Sequence, residues 1–134
     1  MKFAPVLLSA ALAFGVAAPV SAQVVFDQAS VTAACSLDAM TCTSYINSVI
    51  AQLQVLGLSP SALNSQFASL ANATLNVARA NPATSATVAT AMLDIATAST
   101  DAGQKAKILA AANMVAQGGA AAVSPTETFS ASNA

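Results

Sequence analysis

The sequence predicts an all-α protein: a small bundle of about four short, alanine-rich helices with an N-terminal arm and a disordered C-terminal tail. About a quarter of the 134 residues are alanine, which has the highest helix propensity. Apolar side chains recur at intervals of three and four along the middle of the chain, which is the spacing of one helical face. Glycine, proline and capping residues divide this pattern into short segments, so we expect a bundle over residues 43–118.

Residues 1–22 have the three zones of a secretory signal peptide: a basic start at Lys2, an apolar stretch over 6–18 and a small-residue end. Val20 and Ala22 stand at the positions that a signal peptidase reads, so we expect cleavage after Ala22. The apolar stretch is shorter than the roughly 20 residues that cross a bilayer. The mature chain should therefore begin at Gln23 and be periplasmic or secreted, with no integral membrane span.

Residues 23–42 form an arm and a cysteine loop before the bundle. The first residues, Val24 to Phe26, are typical of a strand, whereas Asp27 or Ser30 could cap a short helix leading toward the cysteines. We expect the arm to pack on the bundle, and the residues leave open whether it does so in its own chain or in another.

The two cysteines, Cys35 and Cys42, have six residues between them and should form a disulfide in an oxidising compartment. So short a loop removes little entropy from the unfolded chain, and we expect less than the roughly 3 kcal/mol of a 15-residue loop. A redox-active pair usually has the closer Cys-x-x-Cys spacing at a helix start. The spacing therefore favours a structural bridge.

The first two bundle helices are predicted over 43–56 and 60–80. The first has an apolar stripe made of Ile46, Val49, Ile50 and Leu53. Gly57 suits the position after its last turn. The second begins with Ser59 as a cap and proline at the first helical position. It ends before Pro82, because proline disfavours a helical residue in front of it. Its stripe consists of Leu63, Phe67, Leu70, Thr74 and Val77.

The last two helices are predicted over 84–98 and 102–117. Thr84 or Ser85 would cap the third, whose stripe is Val88, Met92 and Ile95. Asp101 and Gln104 have the spacing of a capping box for the fourth. Its stripe is Ile108, Leu109, Ala112, Val115 and Ala116. Residues 119–134 follow a glycine pair and show no periodicity, so we interpret them as a flexible tail.

Composition excludes several classes of function. Only 7% of the residues are charged, against roughly a quarter in an average domain. Four basic residues in total cannot neutralise a run of phosphates, so we expect no nucleic-acid binding. The chain has no histidine, which excludes Ser-His-Asp and Cys-His hydrolases. The scattered carboxylates and two cysteines match no closed metal site. We therefore expect no enzyme activity, no cofactor and no metal.

Several large apolar residues lie off the predicted core stripes, and this is the most informative feature for function. These residues are Val55, Leu75, Leu93 and Met114. They could form a surface that a partner covers, or the helices could bury wider faces than the stripes suggest. The partner would be a second copy, another envelope or extracellular protein, or an apolar small molecule.

Together these features predict an exported, non-enzymatic helical protein that acts through protein–protein contacts, as an envelope, extracellular matrix or assembly component. The alternative is a carrier of a small apolar ligand or lipid, since bundle interiors often hold such sites. Its pocket would consist of Phe67, Leu70, Met92 and Met114.

Overall fold

The computed structural model describes residues 26–123 and Phe129, which form five α-helices and short 3₁₀ turns. The helices are α1 (Gln28–Leu37), α2 (Ala39–Gln54), α3 (Pro60–Ala80), α4 (Ser85–Ala98) and α5 (Ala102–Ala116). The 3₁₀ turns are Pro82–Thr84 and Ala120–Ala122. No strand occurs within these residues, so the predicted all-α bundle is confirmed. The predicted signal peptide lies outside the described residues, as do residues 23–25, 124–128 and 130–134.

Four of the helices are preceded by a residue whose side chain accepts a hydrogen bond from the backbone N–H three residues later. These N-caps are Asp27, Asp38, Ser59 and Asp101. The N–H of Ser30 lies 2.7 Å from Asp27 and holds the pKa of that carboxyl below its ordinary value, because it stabilises the ionised form. The N–H of Thr41 does the same to the pKa of Asp38. Helix α4 has no side-chain cap and follows directly from a 3₁₀ turn.

Two helices end at glycines whose backbone is left-handed. Gly57 has a φ of 73° after α2, and Gly118 has a φ of 85° after α5. Residues with a Cβ rarely adopt this conformation, which closes the last turn of a helix. Gly118 thus follows α5 within one residue of the predicted end, whereas α2 ends at Gln54, two residues before its predicted end and three before Gly57.

Residues 28–37 of the predicted arm form α1, so the helical alternative holds for this segment and Asp27 is its cap. A single extended residue, Asp38, separates α1 from α2, which begins at Ala39 instead of residue 43. The predicted disulfide is present: Cys35 and Cys42 are bonded, with their Cα atoms 4.1 Å apart. The bridge thus joins the last turn of α1 to the first turn of α2.

Helix α3 lies at the centre of the bundle and contacts all four other helices. The most extensive packing is between α4 and α5, which a three-residue connection joins as an antiparallel pair. Helix α2 packs chiefly on α4 and α1. The largest fully buried apolar side chains are Phe67, Phe129, Ile46, Leu53, Leu70, Leu75, Met92, Ile95 and Ile108.

The described part of the predicted flexible tail is docked on the bundle. Ala120, Val123 and Phe129 are buried in the same core as the helices. The guanidinium of Arg79 donates a hydrogen bond of 2.7 Å to the carbonyl of Val123. The core therefore includes side chains that follow the last helix and carry no periodic signal in the sequence.

Candidate functional site

Three of the four residues predicted for a partner surface are exposed. Val55 is 81% exposed at the end of α2, Leu93 is 42% exposed on α4 and Met114 is 41% exposed on α5. Exposed apolar side chains in a chain with few charges are the first requirement of a contact surface. Contact with a partner stays a prediction.

The prediction that Leu75 belongs to the partner surface is wrong, because this residue is fully buried. Helix α1 lies along this part of α3: the side-chain amide of Gln28 donates to the carbonyl of Ala73 at 3.0 Å, and Asn76 donates to the Gln28 side chain at 3.3 Å. The predicted apolar stripe of α3 covers only one face of the helix. With α1 and the other helices packed around it, α3 buries a much wider face, so Leu75 is a core residue.

Other large apolar residues are also exposed, outside the predicted partner surface. Leu37 and Met40 stand on either side of Asp38, between α1 and α2, and are 72% and 78% exposed. Leu56 neighbours Val55 and is 50% exposed. Leu109, predicted for the buried stripe of α5, is 37% exposed, which corrects that assignment. Its neighbour Ile108 occupies the core side of the helix instead.

The residues predicted for an apolar ligand pocket do not share one environment. Phe67, Leu70 and Met92 are fully buried in the core cluster. Met114 lies on the surface, because the buried side of α5 is occupied by Ile108, Ala111, Ala112 and Val115. The four residues therefore do not form the single pocket that the sequence analysis predicts.

A groove lies at the connection between α4 and α5 and along the first turns of α5. Its lining consists of Ser99, Thr100, Ala102, Lys105, Ala106 and Leu109. Three of these residues are apolar and one carries a positive charge. None of the predicted pocket residues lines it, so this groove is a separate surface feature.

A buried polar cluster joins α3 to the start of α5. Gln104 is fully buried, and its amide nitrogen donates to the carbonyl oxygens of Asn64 at 2.7 Å and Phe129 at 2.8 Å. Its amide oxygen accepts from the hydroxyl of Ser99. Because buried amides lose free energy when they lack partners, these contacts fix the Gln104 side chain in one orientation.

Asn64 is the second polar residue of this cluster and is 5% exposed. Its side-chain amide donates to the hydroxyl of Thr100 at 2.9 Å and accepts from the backbone N–H of Thr100 at 3.2 Å. Helical spacing could have revealed both members, since Asn64 precedes Phe67 by three residues and Gln104 precedes Ile108 by four. Polar residues on apolar stripes indicate a satisfied internal network.

Neither a metal centre nor a membrane span emerges from the described ranges. No three side chains among their cysteines and aspartates come together as metal ligands. No helix there combines the length and apolar character that crossing a bilayer requires. Comparison with protein-family models, with curated proteins and with solved structures finds no match.

Proposed function

We propose that this chain is an exported, non-enzymatic helical protein that acts through protein–protein contacts, as an envelope, extracellular matrix or assembly component. The observation that carries the proposal is the set of large apolar side chains exposed in the described part of the chain. They are Leu37, Met40, Val55, Leu56, Leu93, Leu109 and Met114. Fully burying one such side chain in an interface contributes about 1.5 to 3 kcal/mol.

The distribution of these side chains supports assembly. Leu37 and Met40 lie at the junction of α1 and α2, whereas Val55 and Leu56 lie at the other end of α2. The 16 residues of α2 separate the two places by about 24 Å at 1.5 Å per residue. Leu93 and Met114 provide further apolar positions on α4 and α5. A molecule with separate contact points can engage more than one neighbour.

The disulfide supports export. Cys35 and Cys42 are bonded and both are buried, and such bonds persist in oxidising compartments outside the cytosol. The signal-peptide pattern of residues 1–22 points to the same destination. The chain's low charge further favours contact through apolar surface over electrostatic attraction.

Native mass spectrometry of the mature protein, purified without reductant, tests the proposal. We expect a defined oligomer or a series of oligomers of increasing size. The mass of each copy should correspond to a chain that begins at Gln23 and contains one disulfide. The triple variant Val55→Gln, Leu93→Gln, Met114→Gln should weaken self-association at least tenfold, because polar amides replace the buried apolar area. A control with changes on the same three helices, Gln52→Ala, Thr90→Ala, Asn113→Ala, should associate as the parent does.

The same spectra can contradict the proposal. A protein that stays monomeric at the highest attainable concentration, alone and with extract from its own compartment, would not act through these contacts. Equal association of the triple variant and its control would exclude Val55, Leu93 and Met114 as the surface.

The second proposal is a carrier of a small apolar ligand or lipid. The groove beside Leu109 favours it, because its lining combines apolar residues with the basic residue Lys105. A monomer carrying an additional mass of a few hundred daltons, on the scale of a lipid, would support it. Displacement of a fluorescent fatty acid, abolished by Leu109→Asp and retained by Leu93→Asp, would locate the site; no displacement would exclude it.

A further inference from the structure

The sulfur atoms of this protein differ in how they can react with a peroxide. Peroxides oxidise thiols and thioethers, but both cysteines are already joined in the disulfide between Cys35 and Cys42. The thioethers of methionine are therefore the sulfur groups that a peroxide can oxidise. The structure describes three of them, which are Met40, Met92 and Met114.

The three methionines differ strongly in exposure. Met40 is 78% exposed, Met114 is 41% exposed and Met92 is fully buried in the core. An exposed thioether can meet a peroxide in the folded state, whereas a buried one meets it only when the chain opens around it. The structure therefore orders the three sites, with Met40 first, Met114 second and Met92 last.

The surroundings of Met40 keep its side chain exposed. Met40 is the second residue of α2, and the first turn of this helix is held by the Asp38 cap and by the disulfide at Cys42. Leu37, on the other side of Asp38, is 72% exposed. We call Leu37 and Met40 the α1–α2 corner. A capped and cross-linked turn has little freedom to fold over these side chains, so the sulfur of Met40 stays accessible.

We propose that Met40 is the primary site at which peroxides modify the folded protein, and that its sulfoxide turns off the contact made by the α1–α2 corner. In this step the thioether sulfur attacks one oxygen of hydrogen peroxide and the O–O bond breaks. The transferred oxygen loses its proton, and the other oxygen leaves as water. Sulfur is oxidised by two electrons and the peroxide is reduced. An apolar side chain thereby becomes a polar one.

This inference rests on the proposed function, because the α1–α2 corner makes a contact only if a partner covers it. Leu37 and Met40 are two of the exposed apolar side chains that carry that proposal. A sulfoxide in an apolar interface would bury a polar oxygen without a hydrogen-bond donor, which weakens the contact. Oxidation acts on the chain before it assembles, since a covered sulfur is no longer accessible. Methionine sulfoxide reductases restore the thioether, so the modification is a reversible switch on assembly.

Peptide mapping by mass spectrometry tests the oxidation site. The mature protein is treated with dilute hydrogen peroxide at a concentration where it is monomeric, and sulfoxide is followed at each methionine. We expect Met40 to react about tenfold faster than Met92, with Met114 in between. In concentrated guanidinium chloride the three rates should become similar, because unfolding removes the protection of Met92. Equal rates for Met40 and Met92 in the folded protein, or a faster reaction at Met114 than at Met40, would overturn the proposal.

A matched pair of variants tests the effect on assembly. Met114→Leu leaves Met40 as the exposed methionine of the described residues, and the double variant Met40→Leu, Met114→Leu leaves none. Brief peroxide treatment should weaken self-association of the first about tenfold and leave that of the second unchanged, as measured by native mass spectrometry. Incubation with methionine sulfoxide reductases should restore the first. Equal association of Met114→Leu before and after treatment would show that the switch is wrong.

The two measurements separate this inference from the proposed function. Peptide mapping follows the chemistry of single chains and needs no partner. If Met40 reacts first while the untreated protein associates with nothing, the proposed function fails and the switch fails with it, whereas the oxidation site stands. If association is normal and insensitive to oxidation at Met40, the proposed function stands and the switch is overturned.

Discussion

Leu75 and Leu93 are both leucines that lie off a predicted apolar stripe. Their surroundings nevertheless differ. Leu75 is fully buried on the central helix, whereas Leu93 is 42% exposed on α4. Leu75 lies on a face of α3 that neighbouring helices cover, whereas Leu93 lies on a part of α4 that they leave exposed. A single residue's role in this bundle therefore depends on the packing around its helix more than on its position in the helical pattern.

This contrast gives a matched pair of variants. Leu75→Ala should lower the free energy of unfolding by about 3 kcal/mol, because it removes buried apolar area and leaves a cavity. Leu93→Ala should change it by less than about 1 kcal/mol, as is usual for exposed positions. Urea unfolding followed by circular dichroism measures both. Similar losses in the two variants would show that Leu93 is covered, in this chain or by a second copy.

Local sequence signals predict helices α3 and α5, but they do not identify α1. Helix α3 spans Pro60–Ala80, as the cap at Ser59 and the proline at residue 82 predict. Helix α5 ends within one residue of its prediction, before Gly118. Helix α1 has a cap as good as these, but its apolar pattern is too short to identify it. It packs on both α2 and α3, and α3 lies far along the chain.

The caps of α1 and α2 predict how stability depends on pH. Backbone N–H groups lower the pKa of Asp27 and Asp38 in the folded protein. The contribution of these caps is therefore fully present above the ordinary aspartate pKa of about 3.9, and it is lost as pH falls through the lower folded pKa. The double variant Asp27→Asn, Asp38→Asn keeps capping side chains and should lose less stability on acidification. Melting temperatures recorded between pH 6 and pH 2 check this.

If the melting temperature falls equally steeply with pH in the parent and the double variant, the expected dependence on the two caps is contradicted. The half-buried Asp94, which accepts a hydrogen bond from Asn47, offers a control. Asp94→Asn alters a carboxylate that caps no helix, so it should not reproduce the change in slope.

The disulfide predicts a local effect at the α1–α2 junction. Replacing Cys35 and Cys42 with serine removes the constraint on a short loop, and the chain-entropy model gives a loss of about 2.5 kcal/mol for it. Because α4 and α5 pack chiefly on each other and on α2 and α3, they should stay folded. Hydrogen exchange measured by mass spectrometry should show faster exchange in α1 and in the first turn of α2. Uniformly faster exchange along the chain would instead show that the bridge supports the whole fold.

At the scale of the whole molecule, the sequence determines more of the fold than of the candidate site. Capping residues, glycines and apolar spacing act within a few residues, so the all-α class and most helix ends follow from them. Exposure depends on distant segments, which is why helical spacing alone predicts the wrong surroundings for Leu75 and Leu109. Phe129 lies in the apolar core, and its carbonyl accepts a hydrogen bond from Gln104, a polar residue on an apolar stripe. No local pattern could place that contact.

The small number of charges predicts how association responds to salt. Nine charged residues in the whole sequence, four basic and five acidic, offer little electrostatic attraction for salt to screen. Self-association through apolar side chains should therefore be unchanged between 0.05 and 0.5 M sodium chloride, and sulfate should strengthen it. Analytical ultracentrifugation across these conditions provides the measurement. A marked weakening in sodium chloride would mean that charged groups hold the copies together.

The extensive packing between α4 and α5 has a consequence for the order of folding. Their contacts join residues close in sequence, so forming them costs little loop entropy, whereas the contact of Gln104 with Asn64 joins residues 40 positions apart. We expect the α4–α5 pair to be structured in the folding transition state and α1 and Phe129 to join it afterwards. Substitutions at Ile95 and Ile108 would then slow folding. Phe129→Ala would mainly accelerate unfolding, so that residue would determine how long a folded molecule persists.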